Sequence, residues 1–133
     1  MQALLLPVGA DRYALELVAI REVVVAPTVV PLPGAPATVL GVANLRGEVV
    51  PVFDTVALLG RGRLERLAFA AVAETEAGLA ALAADGEPST VVLDEPVGAA
   101  ESPVASGRFA LPDGVVVLLD VDALLAPERV SVA

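Results

Sequence analysis

Carboxylates are the one abundant reactive group in this chain: seventeen Asp and Glu stand against eight basic residues, all of them Arg. There is no His, no Cys and no Lys. Without an imidazole, thiol or amine, Ser89, Thr90 and Ser102 have no base beside them to draw off a proton, so they read as turn residues. The same absences exclude a Ser-His-Asp triad, a disulfide framework and the common His/Cys zinc sites. What remains is acid and base work, or cation binding, by Asp54, Asp120 and Asp122. Asp120 with Asp122 is only a fragment of a calcium loop, because the loop's Gly and closing Glu are missing. A simpler task suits Asp54 and Asp120. Each ends an apolar strand and precedes a short apolar turn, where a carboxylate accepts free amide protons and suits the turn's dipole. Since capping needs no partner carboxylate, no catalytic residue, metal or cofactor is expected, and a small carboxylate-dependent hydrolase is kept as the alternative.

The two aspartates belong to a repeat. Residues 49–59 (VVPVFDTVALL) and 115–125 (VVVLLDVDALL) are identical at six of eleven positions, and a turn glycine, Gly47 or Gly114, precedes each. Two similar β-units are expected, each small enough to need the other's apolar face. Within the first, Tyr13, Leu15 and Leu17 alternate with Arg12, Ala14 and Glu16, the period of a half-buried strand. Residues 18–22 have no clear period and read as a helical turn or a bend, and 23–25 as a strand. Residues 26–37 form a proline-rich loop whose fixed φ angles hold an extended path. Residues 39–45 and 48–53 read as a hairpin turning at Gly47. Pro51 lacks a donor, so its strand is expected to be an edge or to carry a bulge. Further on, 67–73 reads as a strand, 78–84 as a strand or an Ala-rich helix, 85–90 as a turn cluster, 91–93 as a short strand and 98–107 as a loop.

Composition narrows the partners. The 133 residues carry a net charge of −9 and a pI near 4.3, against the clustered cations that nucleic-acid binding requires and against an anionic membrane surface. Protein partners are expected instead. Residues 23–45 are free of charge, but Pro27, Pro31, Pro33, Gly34, Pro36 and Gly41 would break a spanning helix. Leu4-Leu5-Leu6 lacks a basic leader and meets Pro7 and Asp11, so it does not read as a signal peptide and a cytoplasmic location is expected.

The string Val39-Leu40-Gly41-Val42-Ala43-Asn44-Leu45-Arg46-Gly47-Glu48-Val49-Val50-Pro51-Val52-Phe53-Asp54 resembles the signature of the CheW-like domain family. Tyr13-Ala14-Leu15, Ile20-Arg21-Glu22-Val23-Val24 and the proline loop from Pro31 to Pro36 resemble its opening hairpin, bend and loop. The stretch from Asp113-Gly114 to Leu125 resembles its closing hairpin and terminal turn. The likeness implies an all-β fold of two packed SH3-like five-stranded β-barrels with short helical turns, one domain over residues 1–133. It also implies a non-catalytic adaptor that binds the regulatory domain of a CheA-type histidine kinase and the cytoplasmic tip of chemoreceptors. Through those partners it would associate with receptor arrays, in swimming chemotaxis or in a twitching, gliding or developmental pathway. Carried over by position, Ile20, Glu22, Gly41, Asn44 and Arg46 are the expected contacts for receptor or kinase. Gly47, Pro51, Asp54 and Asp120 are the expected structural residues.

Overall fold

The computed structural model describes residues 1–131. Its strands are β1 (Gln2–Val8), β2 (Asp11–Glu16), β3 (Ile20–Val25), β4 (Val39–Leu45), β5 (Glu48–Phe53), β6 (Phe69–Thr75), β7 (Gly78–Ala84), β8 (Ser89–Val92), β9 (Pro96–Gly98), β10 (Ala105–Leu111) and β11 (Gly114–Leu119). Three single-turn helices, α1 (Thr55–Leu58), α2 (Val121–Leu124) and α3 (Pro127–Val130), punctuate them, and a 3-10 turn at Leu17–Ala19 leads into β3. One sheet runs β8-β1-β2-β11-β10-β9 and the other β3-β6-β7-β5-β4.

The two sheets share one pattern of strand neighbours. Each has a single parallel pair, β11 with β2 and β5 with β7, set among antiparallel neighbours. In the first, β8 and β9 are consecutive in the chain yet lie on opposite edges, so that one interrupted strand closes the barrel. In the second, Val30 plays the part of β9 by exchanging backbone hydrogen bonds with Val42 on β4, at 2.8 and 2.9 Å. The strands recur in a rotated order. The second barrel is continuous, from β3 to β7, whereas the first takes β1 and β2 from the beginning of the chain and β8 to β11 from its end.

Three apolar clusters explain the sequence. Ala3, Leu5, Ala14, Leu93, Phe109, Val116 and Leu118 fill the first barrel; Ala43, Val50, Val52, Ala70, Val72, Ala81 and Ala83 fill the second. A larger cluster between them joins Leu4, Leu6, Tyr13 and Leu15 to Ala71, Leu82, Leu58 and Leu124. Strands β1, β2, β6 and β7 are therefore buried on both faces. That is why Leu4-Leu5-Leu6 and residues 80–84 read as unbroken apolar runs rather than alternating ones. The half-buried expectation for β2 is corrected accordingly, because Ala14 points into the barrel and is wholly buried. Small Ala side chains in β6 and β7 suit a narrow barrel interior. Tertiary burial, not helix propensity, decides their state.

Other expectations are also corrected. Pro51 lies in an interior strand, between β7 and β4, and the register shift falls on β4 between Val39 and Gly41. Because the N–H and C=O of Val42 both turn to Val30, the facing Pro51 nitrogen is directed away from β4, and the parallel ladder to β7 begins only at Val52. Its missing donor therefore breaks no ladder bond. Ser89 and Thr90 open β8 instead of closing a turn, since they pair with Leu5 and Leu4. The stretch 98–107 ends in strand, with Ala105 and Gly107 facing Leu119 and Leu118.

Candidate functional site

At one mouth of the second barrel the ends of five strands surround a groove of about 310 Å³ lined by Arg21, Glu22, Leu45, Arg46, Val50 and Leu79 among others. Its most prominent feature is the β4–β5 turn. Arg46 and Gly47 both have positive φ, 53° and 86°, the pattern of a two-residue turn whose twist matches that of its strands. Asn44 stabilises it, its Oδ1 accepting a hydrogen bond from the Gly47 N–H at 3.0 Å. With its backbone fixed in this way, Arg46 reaches across to β3, where its Nη2 lies 3.2 Å from Glu22 Oε2. Arg46 is 86% exposed and Glu22 22% exposed, so the guanidinium stands in solvent on a carboxylate rooted in the wall. Such a pair adds little to folding and leaves most of the arginine's donors free for another molecule.

The remaining expected residues divide. Gly41 is a packing residue. Its φ is 149°, and a Cβ there would fall on the Val30 carbonyl oxygen and lie 2.7 Å from the Val30 carbonyl carbon, pushing the closing loop off β4. Ile20 is half-buried and packs against the cluster between the barrels. The structure thus joins Glu22 to Arg46 and places Asn44 under the same turn, while Gly41 lies against Val30 and Ile20 against the cluster between the barrels. Sequence reasoning missed Arg21, whose guanidinium bonds Glu74 at 3.1 Å and Glu48 at 3.5 Å, spanning β3, β6 and β5. Plain strand alternation would have set Arg21 and Glu22 on opposite faces, but a register shift between Ile20 and Glu22 brings both to the same groove, and a bulge of that kind has no signal in the local sequence.

The carboxylates first suspected of chemistry are each engaged in holding backbone. Asp54, 2% exposed, accepts from Ala57 N at 3.1 Å and from Leu64 N at 3.0 Å, capping α1 and tying down the loop that follows. Asp120 accepts from Ala123 N at 3.2 Å, and Asp122 from Glu76 N at 3.0 Å. The match between the two capped turns extends to the backbone, since Asp54 N donates to Thr38 O and Asp120 N to Val104 O, both at 2.8 Å. Among the described residues no group of three or more His, Cys, Asp or Glu is placed to hold a metal ion. No helix among them is long and apolar enough to cross a membrane.

Comparison with known proteins points one way. The model of a family described as the CheW-like domain matches residues 2–129. Over 53 residues the chain is 45% identical to a chemotaxis protein CheW of Rhizobium meliloti (strain 1021), covering 40% of this chain and 34% of that protein. Over 46 residues it is 37% identical to a chemotaxis protein CheW of Treponema pallidum (strain Nichols), covering 35% of this chain and 27% of that one. These matches span about a third or less of the relatives' own length. Among solved structures, the scaffolding protein TtCheW from Thermoanaerobacter tengcongensis superposes with a TM-score of 0.82 over 98% of this chain and 95% of that one, at 18% identity. At that identity the likeness is one of fold.

Proposed function

The chain belongs to the CheW-like domain family, and from that premise we propose that it is a non-catalytic adaptor that couples chemoreceptors to a CheA-type histidine kinase. In this reading residues 1–133 act as one domain built from two barrel subdomains. The receptor's cytoplasmic tip, a helical hairpin, lies along the mouth of the second barrel. The observation that carries the reading is the exposed Arg46 poised on Glu22 over a groove, on a turn that Asn44 holds rigid. A charge held this way can bond a partner carboxylate in two places without first losing side-chain freedom. The carboxylates' engagement with backbone amides supports the absence of catalysis from the proposal. The kinase's regulatory domain and a cytoplasmic location within receptor arrays belong to the same proposal.

The test is co-precipitation of the purified chain with a CheA-type kinase and with a receptor cytoplasmic fragment. Retention of both supports the adaptor. Retention of neither removes it.

A further inference from the structure

A second cavity, of about 330 Å³, opens where the two barrels meet, and it shares no lining residue with the groove beside the Arg46 turn. Its wall takes Tyr13, Ser102 and Arg108 from the first barrel, Arg61 from the loop after α1, and Arg129 from α3, with Glu101 at its edge. Three of the chain's eight cations converge here, in a molecule whose net charge is −9. Their existing bonds leave most donors unused. Arg129 gives Nη1 to Leu58 O at 2.8 Å, Arg61 gives Nη1 to Asp11 at 3.2 Å, and Arg108 Nη1 lies a long 3.6 Å from Glu101, which is 79% exposed. A guanidinium has five N–H donors. Arg108 Nε is buried and donates to nothing among the described residues, an unmet donor of the kind a native fold seldom keeps without a use. Its side chain is seated there by Gly98, where a Cβ would collide with the guanidinium. The Ser102 hydroxyl oxygen accepts from Val104 N at 3.3 Å, so its own proton is available to a ligand.

Arginines on several sides and a serine hydroxyl around a half-open hollow suit a tetrahedral oxyanion, which offers acceptors in all directions. We infer that this inter-barrel cavity binds a single phosphate group, either as free inorganic phosphate or as the head of a small phosphate monoester. The site is independent of the adaptor reading, because it uses neither the Arg46 turn nor the groove beside it. Bound there, a phosphate would tie α3 and the loop after α1 to the first barrel and so stiffen the junction between the two barrels.

The molecule carries its own reporter, since Tyr13 is its one tyrosine and there is no tryptophan. Tyrosine fluorescence of the whole chain is titrated with inorganic phosphate and, separately, with glycerol phosphate, each against chloride at matched ionic strength. The expected result is a saturable change with at least one of the two phosphates and none with chloride; the tighter ligand identifies the source. Arg61→Gln and Arg108→Gln, each shown to be folded by circular dichroism, should weaken that binding roughly tenfold or more, the loss of one charge-assisted bond. Arg46→Gln should leave it unchanged. No saturable change with either phosphate, or a saturable change that both cavity variants retain in full, would overturn the inference.

Discussion

Arg46 and Gly41 stand five positions apart in one strand and turn, yet substitution at each should fail in a different way. Arg46→Glu sets two carboxylates against each other at the exposed turn. Its effect on folding should stay within about 1 kcal/mol, the scale of a surface pair, while receptor-fragment retention is lost. Urea denaturation beside the co-precipitation separates the two, and a collapse of folding would assign Arg46 a structural role. Gly41→Ala keeps the site chemistry intact but drives a methyl onto the Val30 carbonyl at positive φ, so about 2 kcal/mol or more of stability should go. Tyr13 offers a third residue-level check. Burial raises its phenol above the ordinary value of 10.0, and the nearby Arg61 partly offsets this. The unfolded chain therefore loses the proton first, and stability is present in full below about pH 10 and falls as pH rises through the folded-state value. The phenolate absorbance of the folded protein should titrate above 10.0, and higher still in Arg61→Gln. Of these residues, the Asn-Leu-Arg-Gly turn could be read directly, since it is written in local sequence. Gly41's task could not, because the atom it makes room for belongs to a loop eleven residues earlier.

The capped single-turn helices show how elements of like sequence diverge in weight. Asp54 and Asp120 occupy matching positions, but Asp54 is buried and holds Leu64 as well as Ala57, whereas Asp120 is exposed and makes the cap bond to Ala123. Asp120→Ala should cost about 1 kcal/mol, an ordinary cap. Asp54→Ala strands two part-buried amides and should cost about 2 kcal/mol, measured as a shift in the urea midpoint at constant slope. Capping was legible because an acid before an apolar turn has a short-range purpose. The state of residues 78–84 was not: Ala-rich segments carry little intrinsic preference for strand, and only burial between two barrels makes β7 of them. Pro51 misled for a related reason. A missing donor disqualifies a strand from the interior only when that donor's side of the ladder is in use.

Across the whole molecule, the cluster shared by the barrels predicts that they unfold as one cooperative body. Leu15→Ala or Leu82→Ala should cost about 2 to 5 kcal/mol and leave a single unfolding transition, because each side chain is fully buried in the cluster that both barrels need. Two transitions in calorimetry would show the barrels to be independent. The repeat at 49–59 and 115–125 made two related units visible from sequence, but their rotated strand order was not, since nothing in a strand's composition names its neighbour. That rotation bears on how the chain is made. As synthesis proceeds, the second barrel is the first whose strands are all available, once residue 84 has appeared. By then β1 and β2 have already emerged, carrying Leu4, Leu6, Tyr13 and Leu15, the side chains that lie over its outer apolar face. The ribosome thus delivers a cover before it delivers the surface to be covered, and the growing chain is spared a long exposure of sticky strands while β8 to β11 are still unmade.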